Sequence, residues 1–229
     1  MRESTTRWVG LDVHAETISV AVAEEDGSVQ FFGKIPNRSE SVAKLLKKLG
    51  PSKTLRACYE AGPCGYALYW ELEKRGVACA VVAPTLIPMR AGDRVKTDRR
   101  DAERLARLHR SGELTAVWVP SREHEALRDL VRAREAAKKD ELRARHRLSK
   151  FLLRQGLRRP EKTRAWGDVH MNWLQTIRFE YAAHTAVFVD YLTEVTRAKE
   201  RIVRLDGNIH DVVAAMPAPS RAWSRAFKR

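Results

Sequence analysis

Two apolar runs, R-W-V-G-L-D-V-H over residues 7–14 and T-I-S-V-A-V-A over residues 17–23, are separated by only two residues, and a chain can use them comfortably only as paired strands of one hairpin. S-V-Q-F-F-G-K-I, residues 28–35, extends the pair into a three-stranded meander. Ser39 is expected to cap a helix running to Leu49, stopped by Gly50 and Pro51, and T-L-R-A-C-Y-E reads as a fourth strand. A helix over residues 66–75 ends at Gly76, and V-A-C-A-V-V-A is a fifth strand, apolar enough to be expected at the centre of the sheet. After a turn around Pro84 and Pro88, Thr97 is expected to cap a further helix. The order βββαβαβα predicts an α/β domain over residues 1–115, with residues 116–229 forming a separate helical region.

Acidic residues fall where this pattern makes them costly. Asp12 interrupts the apolar first strand, and an ionised carboxylate in mid-strand is expensive unless paired or bound to a cation. Glu60 ends the fourth strand in Y-E-A-G-P-C-G. In K-T-D-R-R-D-A-E-R-L, Asp98 and Asp101 are three residues apart, on one face of a helix start that welcomes negative charge. If the first and fourth strands are neighbours, Asp12 and Glu60 point the same way and the Asp98 helix can lie across them. Carboxylates gathered there should raise one another's pKa, and oxygen ligands of this kind select hard divalent cations, Mg²⁺ or Mn²⁺. His14 shares the face of Asp12, where it either packs at the strand end or touches the metal site. Lys96, Arg99 and Arg100 flank the acids, as solvated charge or as groups that steer phosphates. Arg90 and Arg94 do so more weakly.

The second half differs in composition. Residues 1–120 carry 19 Lys and Arg against 15 Asp and Glu, net +4, whereas residues 121–229 carry 24 against 14, net +10. The whole-chain net charge of +14 points to a polyanionic partner, because neutralised phosphates release condensed counterions. Residues 122–164 are densely basic, with Arg143, Arg145, Arg147, Lys150 and Arg154 as candidate nucleic-acid contacts. An apolar seam in steps of three and four, from Leu174 through Ile177, Tyr181, His184, Phe188, Tyr191 and Val195 to Val212, predicts one long helix of roughly 60 to 70 Å. A second stripe, Leu127 to Phe151, repeats the spacing. The long helix therefore needs a partner, either that earlier helix as an antiparallel hairpin or another protomer. Gly207 is a point where it could bend. Trp166 and Trp173 suit either the core or stacking on unpaired bases, and His184 is expected as a hydrogen-bonded interface histidine.

Cys58, Cys64 and Cys79 show no paired spacing and sit among apolar residues, so buried reduced thiols are expected rather than a zinc site or disulfides. No run of about 18 apolar residues and no apolar N-terminal segment is present, which predicts a cytosolic protein with no membrane partner.

V-G-L-D-V-H, Y-E-A-G-P-C-G and K-T-D-R-R-D-A-E-R-L-A-R-L, in this order on these elements, resemble the DEDD transposases of the insertion-sequence-110 (IS110) family, the bridge-RNA-guided recombinases. The resemblance implies an RNase H/RuvC-like fold, a mixed sheet with flanking helices, followed by a basic coiled-coil region. It places the acidic tetrad, catalytic and metal-binding, on Asp12, Glu60, Asp98 and Asp101, with Mg²⁺ or Mn²⁺ as cofactor. It implies DNA and a structured guide RNA as partners, a homodimer or higher homo-oligomer formed through the helical region, and a prokaryotic, nucleoid-associated location. The family also has a C-terminal domain bearing a serine nucleophile. The sequence ends at R-A-F-K-R before any such domain, which predicts a fragment incomplete for strand exchange, and Ser220 and Ser224 are given no role.

Two other functions compete. A stand-alone RuvC-like junction resolvase or nuclease would use the same tetrad, and a non-catalytic RNA-binding and dimerisation module would need only the helices. A sugar-kinase-like ATPase is disfavoured, since Val13-His14-Ala15 lacks the Gly and Ser or Thr that cradle phosphate after such an aspartate.

Overall fold

The computed structural model describes residues 5–88 and 97–217 and divides into two compact units, Met1–Val119 and Pro120–Arg229. In the first unit β1 (Arg7–Val13), β2 (Thr17–Ala23) and β3 (Val29–Pro36) form the meander. They are followed by α1 (Ser39–Leu49), β4 (Leu55–Glu60), α2 (Ala67–Lys74), β5 (Ala78–Val82) and α3 (Asp98–Arg110). β4 joins β1 in parallel and β5 joins β4 in parallel, giving the order β3-β2-β1-β4-β5. The central strand is therefore β1. β5, expected at the centre, lies at the edge, where a bridge from Val82 to Ala116 partly covers it; Val81 packs into the core with Leu68 and Leu72 of α2, and Val82 into the cluster with Leu105 and Leu108 of α3, which accounts for its apolar character. Ser39 is the first residue of α1 rather than its cap, and its hydroxyl donates instead to Glu71 Oε1 at 2.6 Å.

Side-chain alternation divides the sheet between two layers. Val9, Leu11, Ile18, Val20, Val22, Leu55, Ala57 and Tyr59 pack against Val42, Leu45, Leu46, Leu49, Leu68 and Leu72 of α1 and α2. Where α3 crosses it, the opposite face is built from small residues, with Trp8, Val29 and Phe31 packed around them. Ala21 and Ala23 meet Ala102 and Ala106 of α3, and the Cys58 thiol donates to the Leu105 carbonyl at 3.5 Å. A Cβ on Gly10 would stand 2.3 Å from the Ala102 carbonyl oxygen and 2.4 Å from the Ala106 nitrogen, so α3 lies directly on the backbone of β1. Cys58 is buried, while Cys64 and Cys79 are half-buried; burial pushes the Cys58 thiol up and the Cys79 thiol to about 12. The thiols are free, and the burial expected of all three is found at Cys58 alone.

The second unit consists of α4 (Arg122–Arg154), α5 (Asp168–Thr176) and α6 (Ala182–Ala215). The seam expected as one helix from Leu174 is broken between α5 and α6, so α6 is 34 residues and about 51 Å long. α6 continues unbroken through Gly207. α4 and α6 pack as an antiparallel pair: Arg134 bonds Asp206, Arg201 bonds Asp140 at 3.0 Å, and Phe151 meets Tyr191 with ring centroids 6.0 Å apart. Ala144, Leu148, Phe151, Leu152, Leu174, Phe188 and Val195 form the core. Among the described residues His184 has ring contacts in place of the expected side-chain hydrogen bond, lying edge-on to Phe151, Phe179 and Tyr181. Trp166 and Trp173 flank His170 and pack against the core. Among the described residues no helix is long and apolar enough to cross a membrane.

The contact at Gly10 gives a direct test. In Gly10→Ala the new methyl meets backbone atoms that cannot move without shifting α3, so the expected loss is about 2–3 kcal/mol in urea unfolding. A loss under about 0.5 kcal/mol would mean that α3 does not seat on β1 this closely.

Candidate metal and nucleic-acid site

Asp12 is the penultimate residue of β1, two residues beyond Gly10 and so on the α3 face. The parallel register pairs Leu11 with Tyr59, which makes Asp12 and Glu60 the next residues along both strands. Alternation places Glu60 on the same side as Cys58. α3 starts above this edge because Thr97 caps it: the Thr97 hydroxyl accepts from the Arg100 amide at 3.3 Å. The helix start then carries Asp98 and Asp101, where the positive end of the helix dipole favours them.

Three of these groups converge tightly. His14 Nε2 lies 3.2 Å from Asp12 Oδ2 and 3.6 Å from Asp98 Oδ1, and ligand atoms of Asp12, His14 and Asp98 all lie within 4.8 Å of one another. Lys34 Nζ donates to Asp98 Oδ2 at 2.6 Å. Asp101 Oδ1 lies 3.5 Å from Arg104 Nη2, and Glu60 is exposed; neither belongs to the close group. His14 is not packed at a strand end: its side chain is 54% exposed and bridges two carboxylates. Two carboxylate oxygens and an imidazole nitrogen at this separation suit a divalent cation.

The electrostatics are more divided than mutual repulsion among carboxylates predicts. Burial holds the Asp12 carboxyl above its ordinary value, opposed by His14, with the charges of Asp98 and Asp101 adding smaller upward pushes. Asp98 moves the other way, held below the ordinary value by the hydrogen bond from Lys34 and by the nearby positive charge. The positive partner of the paired aspartates is thus a lysine from β3 for Asp98 and an arginine of the same helix for Asp101.

The basic residues expected around the acids have varied settings. Arg99 turns back to Glu103 at 2.8 Å and lies over the Phe31 ring, while Arg100 is exposed on α3. Lys96, Arg90, Arg94, Ser220 and Ser224 lie outside the described residues. In the second unit Arg145 is committed to Glu141 at 2.6 Å and to the Trp166 ring. Lys150 and Arg154 are exposed near the end of α4, with Arg154 over Phe151. Arg143 and Arg147 face Arg197 and Arg201 of α6 across a groove shared with Asp140 and Glu194. The two α6 arginines escaped the sequence reading; their spacing of four, just off the apolar seam, is the signal that could have shown them.

A mixed sheet in the order 3-2-1-4-5, with an aspartate on the central strand and a helix bearing two more across it, is the RNase H-like arrangement. A model of the IS110-type DEDD transposase family, described as "Transposase", matches residues 9–155, and the chain belongs to that family. It is 44% identical over 180 residues to "Putative transposase y4qE" of Sinorhizobium fredii (strain NBRC 101917 / NGR234), an alignment covering 77% of this chain and 46% of that protein. It is 36% identical over 213 residues to "Transposase for insertion sequence element IS1533" of Leptospira borgpetersenii, covering 92% of this chain and 62% of that protein. The chain therefore spans about half to three-fifths of the length of these curated relatives.

The opposed aspartates yield a pH-dependent prediction. Because the folded pKa of Asp12 is raised, its contribution to stability is present below 3.8 and lost as pH rises through the folded value; ionised Asp12 is a cost at neutral pH. Because that of Asp98 is lowered, its contribution is present above 3.8 and lost as pH falls through the folded value. In chelator at pH 7, Asp12→Asn is expected to raise Tm and Asp98→Asn to lower it. As pH falls from 7, the gain should fade while pH is still above 3.8 and the loss only once pH is below it. Shifts of the same sign in calorimetry would show that the two carboxyls are not oppositely tuned.

Proposed function

We propose that this chain is the catalytic-acid and nucleic-acid-binding part of an RNA-guided DNA transposase, acting with Mg²⁺ or Mn²⁺ in strand cleavage and transfer. The observation that carries the reading is the convergence of Asp12, His14 and Asp98 at the start of α3, in a chain of the IS110 family. Asp12, Asp98 and His14 would hold the cation, with Glu60 and Asp101, the remaining members of the acidic tetrad, one strand and one helical turn away. A cation so held supplies charge neutralisation at phosphate oxygens and activation of an attacking oxygen. The protein's own part is orientation: β1 fixes Asp12, the Thr97 cap fixes the start of α3, and His14 ties the two aspartates together. Residues 1–115 would carry the chemistry and residues 116–229 most of the affinity.

Affinity for DNA and guide RNA is supported by the groove between α4 and α6. Arg143 and Arg147 stand one turn apart on one helix and Arg197 and Arg201 one turn apart on the other, forming two facing rows of guanidinium groups. Exposed Val187, Val189 and Val203 on α6 support a homodimer or larger assembly through the helical region.

The metal reading predicts that millimolar Mn²⁺ raises Tm of the wild-type chain and that Asp12→Asn and Asp98→Asn each remove most of the gain. An equal response in all three rejects the site. The groove reading predicts that log K for duplex DNA or structured RNA falls with log salt by about 0.7 to 0.9 per phosphate contacted. Replacing Arg143, Arg147, Arg197 and Arg201 by Gln should flatten that slope, and Asp12→Asn should leave it unchanged. Sedimentation of the same wild-type samples as monomers at high micromolar concentration would leave α4 as the sole cover of the α6 seam.

A further inference from the structure

Asp12 is the cross-strand neighbour of Ser19 on β2, and Ser19 is the cross-strand neighbour of Lys34 on β3. Directly opposed residues in antiparallel strands share a face, so the three form a lateral row beneath the start of α3. Lys34 lies at the outer end of the row and reaches up to the helix, placing its ammonium on Asp98 Oδ2 at 2.6 Å. The other oxygen of Asp98 faces His14 at 3.6 Å. Both carboxylate oxygens of Asp98 therefore already face a cationic or imidazole side chain, one from β3 and one from the turn after β1.

Ser19 supplies a second, independent observation. Its side chain is fully buried between Asp12 and Lys34, and its hydroxyl has no hydrogen-bond partner among the described residues. A buried hydroxyl without a partner is costly, and such groups are uncommon. The floor of the row thus has unused hydrogen-bonding capacity directly under the convergent ligands, where an apolar side chain would serve an ordinary core better.

We propose that Lys34 is an internal counter-cation that competes with the divalent ion for Asp98, so that the chain's metal affinity is set by displacement of its own ammonium. This rests on the metal reading above. In the lysine-held arrangement the ammonium neutralises Asp98 and limits its repulsion of Asp12. A divalent ion that takes Asp98 together with Asp12 and His14 must release Lys34, whose flexible four-carbon stem leaves the ammonium free at the rim of the site. There it can pair with a phosphate oxygen of the bound strand. Metal loading and phosphate binding are thereby coupled through one residue: metal frees the lysine, and a phosphate that captures the lysine removes the competitor.

The test is direct Mn²⁺ binding to the 229-residue chain by calorimetry and electron paramagnetic resonance, without nucleic acid. Lys34→Met is expected to bind Mn²⁺ about three- to ten-fold more tightly than wild type, the scale of one exposed ion pair plus the lost repulsion of a like charge. Lys34→Arg, which keeps the charge, should stay near wild type, and Asp98→Asn should weaken binding. In wild type the Lys34 side-chain ammonium resonance should shift on Mg²⁺ titration with the midpoint of metal binding, a readout that needs no variant. Wild-type binding with equal or weaker affinity in Lys34→Met, or a lysine signal that ignores the metal, overturns the competition while leaving the metal site intact. Absence of Mn²⁺ binding in wild type and Lys34→Met alike overturns both.

Discussion

The candidate site depends on how closely α3 can lie on β1. A side chain at position 10 would hold the helix off by the width of a methyl group, because the nearest atoms are the backbone of Ala102 and Ala106 rather than movable side-chain tips. With Gly10 below, Ala102 and Ala106 above and Ala21 and Ala23 alongside, two backbones pack with little between them. That contact buries little apolar area per residue, so its contribution is positional more than energetic. It brings the first turn of the helix down to the end of the strand, where a carboxylate on each can share one histidine. The large side chains that stabilise the sheet are on the other face, against α1 and α2. One face supplies cohesion and the other proximity.

Proximity of like charges is opposed by the rest of the local structure. Half-burying Asp12 disfavours its ionised form, and the neighbouring aspartates add to that. His14 offsets part of the cost, the N-terminus of α3 another part, and Lys34 neutralises the partner carboxylate. These are exposed or half-exposed contacts, each worth little alone in water. Their joint effect is to hold two carboxylates oriented and oppositely tuned without a permanent bond between them. Contacts so exposed are easily remade, whereas a fully buried ion pair would resist rearrangement.

The parts of the fold legible in the sequence were those written locally. The meander follows from apolar runs split by short polar turns, and the start of α3 from the Thr97 cap and the acids of its first turn. The placement of β5 was not legible, because a run such as V-A-C-A-V-V is equally apolar at a sheet centre or at an edge covered by a helix and a bridge. Nor was the break before α6. Ile177, Phe179 and Tyr181 keep contacting the aromatic cluster after the helix has ended, so the spacing of apolar residues runs on across a segment without helical hydrogen bonds. In the site, Asp12 and Asp98 stood out as acids in costly or patterned places. Lys34 did not, since its approach to Asp98 depends on the register of three strands, and nothing near residue 34 encodes residue 98.

The same non-local logic governs the arginine groove. Asp140 accepts from Arg143 on its own helix and from Arg201 on α6, so one carboxylate holds both rows of arginines. Arg134 with Asp206 repeats the cross-helix pairing two turns away. Apolar seams alone permit helices to slip by a turn, because every step of three or four presents similar side chains; charged pairs at fixed positions do not. Alanines at 144 and 198 on the floor of the groove let the helices approach without filling the space between the guanidinium rows. The acids in this basic region thus have a structural part that net charge conceals. Asp140 and Glu194 lower the positive charge of the groove while Asp140 fixes Arg143 and Arg201 opposite each other, which a merely basic helix surface could not do.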